Sequence, residues 1–406
     1  MKNKKKNDLW SILLAISVPI VAIGIGLASC FVFGTDNILS NLVASFVGFL
    51  IALIFAEVVA KLKLRLEDKN KIATDDFHYD KEEYVKNVQI ADKSTHIWYY
   101  PLVNDVNARY DVDDSPLKSF ELDNFLLENY TSIMQAHQGS FIDNPTMIRL
   151  DDCQKQPDGT YKLFTSRTAY FNDLVTNRSM DYKFSGNLTV RKIYESGKHL
   201  TPLSESHMSN HLGVIAHVYY GDKEILAERG GTATISKNKF TTCVAAGLSL
   251  DDIRAVHSDG IRHPEIKPKD ILDGVVLYKL ADRLNLPYDK VLSLNKEGKI
   301  KVYLTGLGQL IYTGGKPQLY YAVTIDKSVD LSQMNARPVN KEQIDHNKRM
   351  VTISGYTLYK NHVLNLDSCD DGKIIKGEAE RSFYIGLWHL QTQDKIEGVP
   401  DWVYAE

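Results

Sequence analysis

Apolar and polar positions divide the chain into a short N-terminal part without alternation and a long remainder that alternates. Leu9 to Phe33 carries no charged residue, and Ile38 to Ala60 carries one, Glu57. Each run exceeds 20 residues, enough at about 1.5 Å per residue to cross about 30 Å of hydrocarbon. Gly34-Thr35-Asp36-Asn37 between them reads as a turn with a helix-capping Asp or Asn. The pattern predicts a transmembrane helical hairpin over residues 1–65. Lys2, Lys4, Lys5 and Lys6 precede the first run, and Lys61, Lys63 and Arg65 follow the second. Basic flanks at both outer ends place both in the cytoplasm. Ala44, Gly48, Ala52 and Ala56 recur every fourth residue, as do Ala22, Gly26 and Cys30. Small side chains at this spacing mark helix packing faces in lipid, between the two helices or between neighbouring copies. Glu57, one turn from the end of its run, is expected to snorkel to the interface. Leu27-Ala28-Ser29-Cys30 has the form of a lipoprotein cleavage signal, but Phe31-Val32-Phe33 continues the apolar run past the cysteine.

Beyond the hairpin the expected organisation is a charged stalk or linker over 66–95 and a cytoplasmic domain over 96–406, opening at Ile97-Trp98-Tyr99-Tyr100-Pro101. Leu117, Phe120, Leu122, Phe125, Leu126, Tyr130 and Ile133 approximate helical spacing and predict a helix within 117–136. Met147–Leu150 and Tyr161–Thr165 flank Pro157-Asp158-Gly159 and predict a hairpin. Leu212–Tyr220 and Glu224–Glu228, around Gly221-Asp222, predict another. A strand at Thr241–Ala246 follows. Asp270–Leu286 predicts a helix, with Asp270 and Asp273 early and Ile271, Leu272, Val275, Val276, Leu280 and Leu284 on one face; Asn285 and Pro287 stop it. Strands are expected at Lys299–Leu304, Gln309–Tyr312, Leu319–Ile325, Met350–Leu358 and Ser382–Gln391. The class is α+β: a β-rich sandwich with a long helix.

Composition narrows the chemistry. A net charge of −3 supplies no global basic field for a nucleic-acid polymer. The 22 tyrosines suit sheet surfaces and base stacking alike. Of four cysteines, Cys30 lies in the first apolar run, and Cys153, Cys243 and Cys369 are widely spaced, which implies neither a disulfide framework nor a zinc site.

The stretch from Tyr170 to Ile325 resembles a divergent Nudix domain. The likeness is carried by the strands ending at Glu228-Arg229, Ala246-Gly247, the 270–286 helix and Gly314-Gly315-Lys316-Pro317-Gln318-Leu319-Tyr320-Tyr321. The strings Tyr170–Asp181 and Leu203–Gly213 are similar to a bacterial subgroup with an extended fold of this type. The family's metal helix places clustered carboxylates against a pyrophosphate. Here the corresponding register reads Tyr278-Lys279-Leu280-Ala281-Asp282-Arg283-Leu284-Asn285-Leu286, with cations at two acid positions and Asp282 alone retained. The upstream glutamate position is Ile253. Hydrolysis by the family's mechanism is therefore expected to be lost, unless Glu265, Asp270 and Asp273 rebuild an acidic site.

Such a domain can still bind a nucleotide, with no cofactor. Arg178, Arg191, Arg229, Lys237 and Lys239 are candidate phosphate contacts. Asn177, Asn210 and His217 are candidates for base edges, and Tyr170 or Tyr220 for stacking. Each has a plainer reading as a solvated charge or, for His217, a core histidine. Two membrane helices before such a domain is an arrangement similar to the membrane effectors of bacterial cyclic-oligonucleotide anti-phage (CBASS) signalling. The resemblance implies a multi-pass protein of the bacterial inner membrane that senses a cyclic di- or oligonucleotide. It would self-associate and disrupt membrane lipid. Two rivals are a tethered hydrolase of nucleoside diphosphate derivatives and a scaffold for a protein partner.

Overall fold

The computed structural model describes residues 78–90, 93–137, 143–229, 240–261, 265–335, 347–354 and 378–404. Among them, nine strands form one sheet and three form another. The short helix α1 (Lys81–Tyr84) leads into β1 (Val85–Ile90), which pairs antiparallel with β2 (Lys93–Val103). The small sheet contains β3 (Tyr110–Ser119), β4 (Thr146–Lys155) and β5 (Tyr161–Ala169), in the order β3-β5-β4, with helix α2 (Asn124–Met134) between β3 and β4. Short helices α3 (Tyr170–Val175) and α4 (Val190–Tyr194) follow. Next come β6 (Gly213–Tyr220), β7 (Lys223–Arg229), β8 (Phe240–Thr242) and β9 (Val244–Gly247). Three helices, α5 (Leu250–Val256), α6 (Pro268–Leu284) and α7 (Tyr288–Lys296), precede β10 (Ile300–Leu310) and β11 (Lys316–Ile325). Strand β12 (Asn347–Ser354) and helix α8 (Glu378–Gln391) complete the described elements. The large sheet runs β1-β2-β10-β11-β6-β7-β12, with β9 on β6 and β8 on β7. Its central pair, β11 and β6, is parallel. Residues 183–188 form a turn closed by the Phe184 N–H donating to the Leu188 carbonyl at 2.8 Å.

The central strands are apolar on both faces because both faces of the sheet are covered. In β6, Val214, Ala216 and Val218 join one core with Ile271, Val275 and Leu280 of α6. Ile215 and Tyr219 join another with Phe383, Ile385 and Leu387 of α8. Helix α6 forms where its pattern predicts. Pro268 takes the first turn, the apolar face is buried, and Asn285 closes the C-terminus in the left-handed conformation at φ 54°. Both predicted hairpins form, β4-β5 and β6-β7.

Several expectations are corrected. Ser382–Gln391 lies in helix α8, not in a strand. Its aromatic and β-branched residues suit a buried strand, but Phe383, Leu387 and Leu390 also fall on one helical face, and docking on the sheet selects the helix. The helix expected within 117–136 begins at Asn124, where the Asp123 carboxylate accepts from the Leu126 N–H at 3.0 Å. Leu117 belongs to β3 and is 97% exposed, so its place in the helical pattern was coincidental, and Phe120 and Leu122 lie in the loop between strand and helix. Strand β10 is continuous where two strands were expected. Part of the 66–95 stretch read as a stalk is strand β1.

The membrane-spanning hairpin is corrected too. No helix among the described residues is long and apolar enough to cross a membrane. The runs at 9–33 and 38–60, with Ala44, Gly48, Ala52 and Ala56, lie outside those residues. The fold described is thus an α+β arrangement of two sheets with helices on both faces of the larger one, without a transmembrane element. Among the described residues no span supports the inner-membrane, multi-pass placement.

Candidate functional site

A buried polar cluster lies where α3, the chain leading into β6, and the start of β11 meet. Asp173 on α3 is fully buried. Its Oδ2 accepts from Arg178 Nε at 2.7 Å and from Lys316 Nζ at 3.1 Å. His211 Nδ1 stands 3.6 Å from Asp173 Oδ1, too far for a hydrogen bond, and neither atom has another partner. Lys316 and His211 are 2% and 1% exposed, whereas Arg178 and Tyr170 are half-buried and form the rim. The Tyr170 ring lies 5.8 Å from the His211 ring, centroid to centroid.

Local sequence explains how these groups meet. Asn177 is the joint: its Nδ2 donates to the Thr313 carbonyl at 2.8 Å and to Asn210 Oδ1 at 3.1 Å, and its Oδ1 accepts from the Asn210 N–H at 2.9 Å. Asn210 sits in left-handed backbone at φ 45°, one of two non-glycine residues with positive φ among those described. Such a conformation in a buried asparagine marks a backbone held by its surroundings. Its Nδ2 is buried and without a partner. The next residue, His211, is thereby turned toward Asp173. Buried Arg149 fixes the preceding loop by donating to the carbonyls of Ser206 at 3.1 Å and Met208 at 3.4 Å, and is itself paired with Asp151.

Electrostatics set the protonation states. Burial pushes His211 down to about 3, against the pull of Asp173, so the imidazole is neutral at pH 7. Burial also opposes charge on Asp173, but the groups around it, His211, Lys316 and Arg178, hold the carboxyl well below the ordinary range. With His211 neutral, Lys316 and Arg178 are the two cations that keep Asp173 ionised. Two cations and one carboxylate leave these four side chains at +1.

The remaining sequence candidates fall elsewhere. The Arg191 guanidinium is engaged with Asp181 and with the carbonyls of Ile311 and Tyr312, holding the turn before β11. His217 is fully buried under α8, with Nδ1 2.8 Å from Glu224 Oε1 and Phe383 edge-on to its ring at 4.7 Å. It is a core residue, so its role as a base reader is corrected. Tyr220 Oη donates to the carbonyls of Lys327 and Val329 at 2.9 and 3.1 Å. Arg229 ends β7 through backbone pairing with Asn347, and Lys237 and Lys239 lie outside the described residues. Sequence reasoning singled out the strings holding Asp173 and His211 and the turn holding Lys316, but proposed none of the three as a site residue. A lysine directly after a glycine pair and before an apolar strand was the available signal.

Among the described residues an acidic metal site is not assembled. Lys279 Nζ pairs with Asp252 at 2.6 Å, Arg283 with Asp282 at 2.7 Å, and Lys269 with Asp273 at 2.6 Å. Burial pushes Asp273 up to about 6 even beside Lys269. Among the described residues no group of three or more His, Cys, Asp and Glu side chains is placed to hold a metal ion. The residues present do not fit a catalytic magnesium ion. No family model and no curated protein matches the chain.

Proposed function

We propose that the chain is a nucleotide-binding module that takes an anionic, phosphate-bearing ligand of the cyclic di- or oligonucleotide class without hydrolysing it. The observation that carries this reading is the convergence of Arg178 and Lys316 on the single buried carboxylate of Asp173 beside a neutral His211. An entering phosphate would meet the two cations that converge on Asp173, with Arg178 at the partly buried edge of the cluster. Tyr170 at the same rim offers a face for a base. The cation pairing along α6 supports binding without turnover, since the positions that would gather a divalent ion are engaged in ion pairs. In this reading ligand binding drives self-association of copies of the chain.

The test is calorimetric titration of the full chain with cyclic di- and trinucleotides, beside ADP-ribose with Mg²⁺, followed by chromatography of each mixture for product and for assembly state. Tight binding of one cyclic nucleotide without product is expected, and Tyr170→Ala should weaken it by roughly tenfold or more, the value of one base stacked on an aromatic ring. Silence across the cyclic panel, or turnover of ADP-ribose, would overturn the proposal.

A further inference from the structure

We infer that α8 reads out the state of the Asp173 cluster through the turn Ile311–Gly315. This deepens the proposed function and rests on that cluster being the ligand site. The turn is tied to the cluster on one side. Lys316, directly after it, reaches Asp173 at 3.1 Å, Asn177 donates to the Thr313 carbonyl at 2.8 Å, and Arg191 donates to the Ile311 and Tyr312 carbonyls at 3.2 and 2.6 Å. On the other side it is tied to α8, where the Arg381 guanidinium lies over the Tyr312 ring, 3.7 Å from its centroid.

The turn is stiff enough to transmit a displacement. Gly314 and Gly315 take φ of 60° and 79°, which L side chains rarely adopt. A Cβ at Gly314 would fall 2.6 Å from Met180 Sδ. The Gly315 N–H donates to the Leu310 carbonyl at 2.9 Å, and Gln309 Nε2 donates to the Gly315 carbonyl at 3.0 Å. Tyr312 and Lys316 are therefore held in one fixed relation. A phosphate that draws Lys316 away from Asp173 moves the turn, and Tyr312 carries that movement to Arg381.

Helix α8 is locked to the sheet in one register. Two of its contacts there are reciprocal, each an imidazole seated on a glycine. A Cβ at Gly386 of α8 would fall 2.2 Å from Nε2 of His217 on β6, and a Cβ at Gly306 of β10 would fall 2.1 Å from Cε1 of His389 on α8. Interlocks of this kind hold one register rather than a continuum.

The test uses hydrogen exchange on the full chain with no ligand added, in the wild type, Lys316→Met, Arg381→Ala and the double variant. Lys316→Met leaves Asp173 its Arg178 partner and should speed exchange of the Ser382–Gln391 amides by roughly 3- to 10-fold, with α6 unchanged. In the Arg381→Ala background Lys316→Met should add nothing at α8. Faster exchange confined to the turn, or an equal effect of Lys316→Met with and without Arg381, overturns the inference. If Lys316→Met loosens all amides together, Tyr312→Leu replaces it: exchange at α8 must rise while the cluster's amides hold, and an unchanged α8 rejects the coupling. Because no ligand enters, failure here leaves nucleotide binding standing, and silence in the nucleotide panel leaves this coupling standing.

Discussion

Replacing Asp173 by Asn removes one charge and little volume, and isolates the electrostatics of the cluster. The carboxylate is fully buried, with Arg178 Nε at 2.7 Å and Lys316 Nζ at 3.1 Å. The Lys316 side chain is only 3% exposed, so water cannot take over there for the lost charge. At an effective dielectric of about 20, one unit pair at 3 Å is worth about 5 kcal/mol. The amide oxygen still accepts hydrogen bonds, which returns part of this. The expected cost is about 3–5 kcal/mol, the range for breaking a buried pair and leaving its partner charged. That is a large share of the roughly 5–15 kcal/mol that holds a domain folded. Lys316→Met should cost less, because Asp173 keeps Arg178, and the double variant Asp173→Asn/Lys316→Met should recover about 1–2 kcal/mol relative to Asp173→Asn, as coupled sites do. Urea unfolding of the full chain at pH 7, followed by circular dichroism, measures all three. The pH dependence has a definite sign. The folded carboxyl titrates below its unfolded value of 3.8, so its stabilisation is present above about pH 4 and is lost as pH falls further. The gap between wild type and Asp173→Asn should therefore narrow in acid. A loss under about 1 kcal/mol at pH 7, or strict additivity in the double variant, would refute a charged, mutually dependent cluster.

Two further predictions concern the frame around the site. Gly386→Ala raises helix propensity by about 1 kcal/mol in an open helix, yet here its Cβ would meet His217 Nε2 at 2.2 Å, and His217 is held in place by Glu224. A net loss of about 1–3 kcal/mol is expected from overpacking, and a stabilised variant in the same unfolding assay would reject the contact. Burial pushes Glu195 from 4.5 to about 7, although the Thr201 N–H donates to its Oε2 at 3.1 Å. A carboxyl raised in the folded state holds its proton there while the unfolded chain releases it, so stability is lost as pH rises from about 4.5 through 7. Glu195→Gln should match the wild type near pH 4.5 and exceed it by up to about 3 kcal/mol at pH 8 in thermal melts; parallel pH profiles would count against a protonated Glu195.

Elements whose signals lie within a few residues were legible from local chemistry alone. Pro157-Asp158-Gly159 and Gly221-Asp222 set the two hairpins, because turn chemistry and alternation act locally. Pro268, the apolar face and Asn285 set α6 for the same reason. The short apolar run at 382–391 was ambiguous, since strand and helix both bury Phe383, Leu387 and Leu390. The sheet face, already lined by Tyr99, Tyr219 and Tyr320, decided for the helix. Arg178, Asn177, Asn210 and Tyr170 were legible as polar candidates, but their grouping was not. Asp173, His211 and Lys316 are far apart in the chain and meet only because β11 runs parallel to β6, placing the start of one strand beside the entry to the other. The same topology took His217, six residues after His211 and within β6, into the core under α8. Burial and charge pairing are properties of that packing. They turn an ordinary Asp, His and Lys into an ionised, neutral and cationic set, which no local pattern encodes.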